Sequence, residues 1–271
     1  MAPTRRQSAL VTIDRIPYKA CPLCRDPAIT DLFETDCTQH PAYHPDLPPV
    51  IEWCECFKCR HVFTSGYFGD DGLALVFRSA LDHQKPGYDV EKERWLWARV
   101  VEFVTAHLDG AHGAWMDIGF GDGALLCTAQ EWGFDALGLD LRAEAVAGMR
   151  DFGIEATVST IESYPGEKRF RVISMADVLE HMPFPDQALR AAHRLLNDDG
   201  VLFVSTPNRD SAVWKVLDRN HANPYWAELE HCHNFTRNSL YTLLGANGFA
   251  PAAYNVSHRY SSGMDVVARK L

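Results

Sequence analysis

The chain of 271 residues contains no apolar run long enough to cross a bilayer, so a membrane-spanning helix is excluded. Met1 to Gln7 carries two arginines, but no apolar segment follows, so it does not read as a secretory leader. The expected location is therefore the cytoplasm. Positive charge is scarce too. A net charge of −10 weighs against sequence-independent binding to nucleic acid, whose affinity comes largely from neutralised phosphates, although a local basic patch stays compatible with it. With no export signal, disulfides are the poorer reading of the eight cysteines. The 46% hydrophobic content is enough for a sizeable core, and 23% charged residues is ordinary for a globular chain. The length suits one large domain, or one of about 150 to 200 residues with a small module.

Four of the cysteines form two pairs, Cys21-Pro22-Leu23-Cys24 and Cys56-Phe57-Lys58-Cys59, about thirty residues apart. Each pair turns two thiolates to one side of an ion, and two such knuckles complete the tetrahedron of a zinc ribbon. Bare reduced cysteines and a redox pair are the alternatives. Cys54, Cys37, His40, His44 and His61 are spare donors nearby, and Cys54 lacks the two-residue spacing. Val50 to Trp53 and His61 to Thr64 read as strands flanking the second knuckle. Four ligands leave no open position, so a metal here is expected to be structural. Upstream, Val11-Thr12-Ile13 reads as a short strand stopped by Pro17.

The centre of the chain is Trp115-Met116-Asp117-Ile118-Gly119-Phe120-Gly121-Asp122-Gly123. A buried strand from Ala114 to Ile118 ends in alternate glycines, and a helix starts at Ala124. Glycine permits the tight turn and lets a ligand lie against backbone. A second apolar run, Phe134 to Leu139, ends at Asp140, a little over twenty residues on, where a doubly wound fold places a carboxylate on a ribose diol. Asp117 and Asp122 would repel a pyrophosphate. They suit a ligand that carries an ammonium and a sulfonium.

Strand and helix then alternate. Arg142 to Asp151 reads as a helix, Ile154 to Val158 as a strand, Phe170 to Met175 as a strand, Asp186 to Leu196 as a helix and Val201 to Thr206 as a strand. Asp89 to Leu108 reads as an amphipathic helix, with Trp95, Val100, Val101, Val104 and Leu108 at helical spacing. Trp95 and Trp97 are read as core, or as packing on the substrate side. Signals from Phe68 to about Gly87 are mixed. The alternation predicts an α/β fold with a parallel sheet covered on both faces.

The glycine stretch resembles motif I of class I S-adenosylmethionine-dependent methyltransferases. The likeness continues through Asp177-Val178-Leu179-Glu180-His181-Met182-Pro183, through Gly200 to Asn208, and through Phe235 to Leu240 with Gly248-Phe249. The resemblance implies a Rossmann-like seven-stranded sheet closed by a hairpin of residues 250–257 and 263–269. The organisation it suggests is a zinc-ribbon-like module over 1–68, a helical linker or cover over 69–112 and a methyltransferase domain over 113–271. S-adenosylmethionine is the implied cofactor. Asp117, Gly119, Gly121 and Gly123 would meet its methionine end, Asp140 its ribose, Thr160 and Ile161 its adenine, with Ala176 and Asp177 as the front wall. The front cysteines are similar to the small zinc-binding domain of some members, among them C-methyltransferases of nucleotide-linked deoxysugars. This chain departs from those in stopping after the sheet, so sugar C-methylation is one option among several.

The implied reaction is O- or C-methylation of a small-molecule or sugar-type acceptor. Rival readings are an RNA base methyltransferase with a zinc ribbon, a cofactor-binding module that transfers nothing and, least supported, an NAD-dependent oxidoreductase. Asn208 to Phe235 is long for a connector and suits a lid or binding loop. Its Trp214, Tyr225 and Trp226 would either floor a substrate pocket or pin the loop. Asn223-Pro224-Tyr225-Trp226 is superficially like the motif of base-methylating enzymes but stands in the wrong place. His231-Cys232-His233 has no third ligand at persuasive spacing. A base is needed only for an acceptor that must lose a proton. His231, in the loop beside Glu228 and Glu230, and His181, after the fourth strand of the sheet, compete for that role, unless both only pack. Oligomeric state is not legible.

Overall fold

Apolar residues alternate along the central strands and divide the core into two layers. The computed structural model describes residues 13–78, 85, 90–167 and 169–271; Met1 to Gln7, Val11, Thr12, Gly87 and Asp89, used above, lie outside them. The N-terminal part holds β1 (Ile16–Pro17), β2 (Ile29–Asp36), β3 (Val50–Cys56), β4 (Val62–Thr64) and β5 (Gly66–Tyr67). Helices α1 (Asp70–Val76) and α2 (Val90–Thr105) follow. The strands expected around the second knuckle are present as β3 and β4.

The rest alternates as read: β6 (Ala114–Ile118), α3 (Ala124–Glu131), β7 (Asp135–Asp140), α4 (Ala143–Asp151), β8 (Glu155–Val158) and β9 (Phe170–Ala176). Then come α5 (Pro185–Leu195), β10 (Leu196–Pro207), α6 (Ala212–Arg219), the two-residue β11 (His233–Asn234) and α7 (Arg237–Ala246). The closing hairpin is β12 (Phe249–Val256) and β13 (Gly263–Lys270). Seven strands lie in the order β12-β13-β10-β9-β6-β7-β8, parallel except for β13, which is antiparallel to both β10 and β12.

On one face Met116, Ile118, Ile173, Met175, Leu202 and Val204 pack under α5 and α7. On the other, Trp115, Val172, Val201 and Phe203 pack under α2 and α3. The two-residue period of a strand puts Asp117 on that second side. Trp97, Val100, Val101 and Val104 form the buried stripe of α2, whereas Trp95 is 58% exposed and stands outside it. The chain winds outward from β6 in both directions, so the crevice at the carboxyl ends of β6 and β9 is the topological switch point where ligands bind in such sheets.

The N-terminal strands form a second sheet in the order β11-β4-β3-β2, whose fourth strand is contributed by residues 233–234. His233 pairs with Phe63 and Asn234 with Val62. The long 208–235 connection is held at several further points. Trp53 Nε1 donates to the Trp226 carbonyl at 2.9 Å, Arg15 donates to the Leu229 carbonyl at 2.9 Å, and His40 meets Glu228 at 2.9 Å. Trp214 is buried and stacks on Tyr225 at 4.9 Å, and Trp226 packs edge-on against both Trp214 and Trp53. These aromatics pin the connection to the N-terminal sheet.

Candidate active site

The turn after β6 sits between two cavities, of about 320 and 390 Å³, and Gly119, Gly121 and Asp177 line both. The backbone at Gly119 and Gly121 is left-handed, with φ of 63° and 61°. A Cβ at Gly121 would meet nothing within 4 Å, so a side chain there would project into open space beside the turn. Gly123 has another task. It lines neither cavity, it caps α3, and a Cβ on it would overlap the Met149 sulfur at 2.1 Å. Asp117 and Ala176 line the second cavity, and Asp140, Thr160 and Ile161 line the first. Every residue expected at the cofactor except Gly123 thus lines one or both of the cavities that flank the turn.

The carboxylates differ in surroundings. Asp117 is 2% exposed, and burial pushes its carboxyl up to about 7, against the opposing pull of the Ser174 hydroxyl, which donates to it at 2.5 Å. Trp115 Nε1 in turn donates to Ser174 at 2.8 Å, fixing that hydroxyl. Asp140 is held from β7 by Arg142, whose Nε donates to one oxygen at 2.9 Å and whose terminal nitrogen donates to the other at 2.8 Å. Asp177 adopts φ 54°, unusual for a residue with a side chain. Its amide donates to the Ser205 carbonyl at 2.9 Å, and its carboxylate is paired with Arg259 from the β12–β13 hairpin. Burial would lower the Arg259 pKa, but the Asp177 carboxylate outweighs it and the net shift is upward. The Arg259 guanidinium lies 3.8 Å over the Trp97 ring, and Tyr260 beside it lines the second cavity.

The two histidines converge. His181, in a 3-10 turn over Leu179–His181, lines the first cavity together with Glu230. Its Nδ1 is 3.9 Å from a Glu230 oxygen. Burial alone would lower the His181 pKa, but Glu180 and Glu230 outweigh that and raise it. His231 is 6% exposed and lies edge-on to His181 with centroids 4.8 Å apart. Burial, with His181 and His40 adding to it, drives its pKa well below the usual value. His231 lines neither cavity, so it does not cover the pocket from the opposite side as a lid residue would. A bend at Cys232 separates it from His233, which instead meets His61 at 3.1 Å.

Cys21, Cys24, Cys56 and Cys59 place their sulfurs within 4.8 Å of one another. Across the two knuckles Cys21 and Cys59 are 3.6 Å apart, and Cys24 and Cys56 are 3.5 Å apart. Zinc–sulfur bonds of about 2.3 Å hold tetrahedral sulfurs roughly 3.8 Å apart, so the four thiols fit such an ion. The spare donors are engaged elsewhere: Cys54 donates to Asp31, Cys37 to the Pro48 carbonyl, and His40, His44 and His61 face Glu228, Asp46 and His233.

A family model described as a methyltransferase domain matches residues 90–254, well over half of the chain. The chain belongs to this methyltransferase family. Over 124 residues it is 33% identical to a ubiquinone biosynthesis O-methyltransferase of Xanthomonas oryzae pv. oryzae, covering 43% of this chain and 52% of that protein. The chain thus spans about half the length of the curated relatives it matches first. Among solved structures it is similar to the 1,6-didemethyltoxoflavin-N1-methyltransferase of Burkholderia thailandensis, bound to its substrate and S-adenosylhomocysteine. The TM-score is 0.57 at 22% identity, covering 79% of this chain and 97% of that one. It is also similar to the magnesium protoporphyrin IX methyltransferase of Synechocystis PCC 6803 with bound SAH, with a TM-score of 0.54 at 16% identity, covering 67% and 87%. These likenesses show the methyltransferase fold.

Several residues of this candidate site carry no local signal in the sequence. Arg142 is two residues beyond Asp140, and a helix-initiating arginine is unremarkable until it is seen clasping the carboxylate. Arg259 and Tyr260 sit in a hairpin turn 82 residues or more beyond Asp177, the partner of Arg259. Lys92 and Glu93 reach the second cavity from the first turn of α2, which reads simply as the polar face of a helix. Among the described residues, no helix is long and apolar enough to cross a membrane.

Proposed function

We propose that this protein transfers a methyl group from S-adenosylmethionine to a small-molecule acceptor, most directly to an oxygen. The observation that carries the reading is the glycine turn between two cavities, with Asp140 at one side and Asp117 at the other. The first cavity suits the nucleoside: Asp140 receives the ribose hydroxyls while Thr160 and Ile161 flank the adenine. Gly119, Gly121 and Asp117 take the methionine end, where a buried carboxylate favours an ammonium over a phosphate. Ala176 and Asp177 form the front wall, and the Arg259 pair fixes Asp177. The cofactor supplies an activated methyl, so the chain's part is alignment and exclusion of water.

Support for oxygen as the acceptor atom comes from the relatives named ubiquinone biosynthesis O-methyltransferase. Of the two histidines only His181 reaches the cavity, so an acceptor hydroxyl belongs at the His181–Glu230 edge, with His231 behind it. A sugar-type acceptor has no comparable support. The four cysteines hold one structural zinc ion that fastens the N-terminal sheet. Eight free cysteines suit a reducing compartment such as the cytoplasm. The test is calorimetric titration with S-adenosylmethionine and with NAD, followed by release of S-adenosylhomocysteine over a panel of phenolic and sugar hydroxyl acceptors. Binding of NAD in place of S-adenosylmethionine, or cofactor binding with no turnover across the panel, would refute it.

A further inference from the structure

The residue that closes each cysteine knuckle is an arginine held in a left-handed turn. Arg25 follows Cys24 with φ 61°, and Arg60 follows Cys59 with φ 59°. Their amides donate to the carbonyls of Cys21 and Cys56, both at 2.9 Å. Glycine takes this conformation without strain, so the turn alone gives no reason for a long cationic side chain. Arg60 turns back to Glu55 at 2.8 Å. Arg25 instead reaches out of its module to Asp186, in the first turn of α5, at 2.7 Å. Arg190, one turn further along α5, meets the same Asp186 oxygen at 2.9 Å. Two cations thus share one carboxylate, and one positive charge is left over.

This pair stands at the mouth of the first cavity. The Arg25 guanidinium lies 5.8 Å from the centre of the Phe184 ring, and both Phe184 and Gln187 line the cavity on either side of Asp186. Tyr18 fixes that wall: its hydroxyl donates to the Pro183 carbonyl at 2.9 Å, and its ring meets Phe184 edge-on at 5.9 Å. The Arg25 and Arg190 side chains are 53% and 59% exposed, so their remaining N–H donors are open to a ligand. The neighbouring Asp26 is faced by Lys58 at 4.0 Å. Inside the cavity the charge has the other sign. Among the described residues that line it, the carboxylates Asp140, Asp177, Glu162 and Glu230 meet one arginine, Arg142, which clasps Asp140. An anionic group is therefore repelled from the interior and accepted at the rim.

We infer that Arg25 and Arg190 clamp an oxyanion, a phosphate or carboxylate carried by the methyl acceptor, at the rim of the first cavity. This role rests on the methyltransferase reading and narrows the acceptor to an acidic molecule. Two guanidinium forks match the spread oxygens of either group better than two ammonium groups would. From His181, at the proposed reacting edge, to Phe184 is three residues, at most about 11 Å of extended chain. A one-ring acceptor with a short acidic arm spans that gap, with its hydroxyl at His181 and Glu230 and its acid between the arginines. Asp186 is the holder. Burial would raise its pKa, but bonds from Arg190 and Arg25 outweigh that and lower it, so it stays charged and keeps both forks in place.

The experiment uses the full chain, first alone and then saturated with S-adenosylhomocysteine. Binding of phenyl phosphate, benzoate and phenol is read from the line broadening of their ring protons. At low ionic strength one or both anions should bind at least about tenfold more tightly than phenol, and the margin should shrink as salt is raised. Whichever anion binds better names the acid. Arg190→Gln and Arg25→Gly should each cut the margin severalfold and together abolish it, while Arg219→Gln on α6 should leave it unchanged. Glycine suits φ 61°, so Arg25→Gly should melt no lower than wild type, and Arg25→Lys should keep part of the margin. A plain surface ion pair gives the opposite pattern, a lower melting temperature with the anion margin intact, and that result overturns the clamp. So does equal binding of all three probes, or a margin that survives the double substitution. If S-adenosylhomocysteine does not bind, the methyltransferase reading falls, and the charge preference of the free chain still decides the clamp.

Discussion

Cofactor affinity should rise with pH up to neutrality, and Asp117 is the reason. Its carboxyl is buried and pushed up to about 7, chiefly by desolvation. The groups that face it are the Ser174 hydroxyl on β9 and Arg259 on the hairpin, which favour its charged form, and Asp140 and Asp122, which disfavour it. An ammonium placed against Asp117 favours the ionised carboxylate, so below neutrality binding must expel a proton. The dissociation constant should then weaken about tenfold per pH unit below about 7, roughly 1.4 kcal/mol each, and level off above it. Calorimetry in two buffers of different ionisation heat should show close to one proton released near about pH 6 and almost none near about pH 8. The sign for stability runs the other way. A carboxyl whose folded pKa is raised contributes most stability below the unfolded pKa, near 3.8, and loses it as pH rises through about 7. Asp117→Asn should therefore melt higher than wild type near about pH 8, by an amount bounded at about 4 kcal/mol, and match it near about pH 4. Cofactor affinity that is flat across this range in wild type, or that keeps the same slope in Asp117→Asn, would refute the assignment of Asp117 to the ammonium.

Asp140→Ala removes a charge-assisted bond to the ribose and leaves Arg142 without its carboxylate. Affinity for S-adenosylmethionine should fall by roughly 1.5 to 3 kcal/mol, and an unchanged dissociation constant in a calorimetric titration counts against the role. Gly121→Val puts a branched side chain at φ 61° into the open space by the turn, so binding should vanish while far-ultraviolet dichroism is retained. Cys21→Ser should lose the zinc equivalent in elemental analysis and speed amide exchange in the N-terminal sheet, notably at Thr64, whose amide donates to the Cys232 carbonyl. Cofactor affinity in that variant should stay within a few-fold of wild type, because none of the proposed cofactor contacts comes from the module.

The parallel sheet was legible because its signals are local. Buried strands such as Val201–Val204 are short apolar runs bounded by a glycine or an acidic turn, and each helix between them supplies its own amphipathic stripe. Asp117, Gly119, Gly121 and Asp140 were legible for the same reason, since a strand–turn–helix unit fixes where each stands relative to the next. Strand β2, Ile29–Asp36, was not foreseen: most of its residues are exposed, so no hydrophobic alternation marks it. The β11 strand has two residues and therefore no period at all. Trp95 fell at helical spacing with the core stripe yet faces outward, because spacing alone does not say where an apolar stripe ends. Trp214, Tyr225 and Trp226 suit a pocket floor or a pinned loop from sequence, and the contacts of Trp226 with Trp53 and Phe33, with Trp214 packed behind it, tie the loop to the N-terminal sheet.

The pairing of β11 with β4 also joins the N-terminal sheet to the long connection that precedes α7. Residues 208–235 make a long connection, and ordering it costs backbone entropy of about 1 kcal/mol or more per residue. The N-terminal residues hold it through the Phe63–His233 pairing, the Trp53–Trp226 bond and the Arg15–Leu229 bond. His231 lies between those anchor points, so its approach to Glu180 and His181 depends on a strand that folds around the four cysteines more than 160 residues earlier. The segment of the two Cys-x-x-Cys knuckles is thus joined, through one short strand, to the connection that carries Glu230 and His231. Local sequence reading gives each half of that coupling separately, because nothing in the His231-Cys232-His233 run names Val62 and Phe63 as its partners.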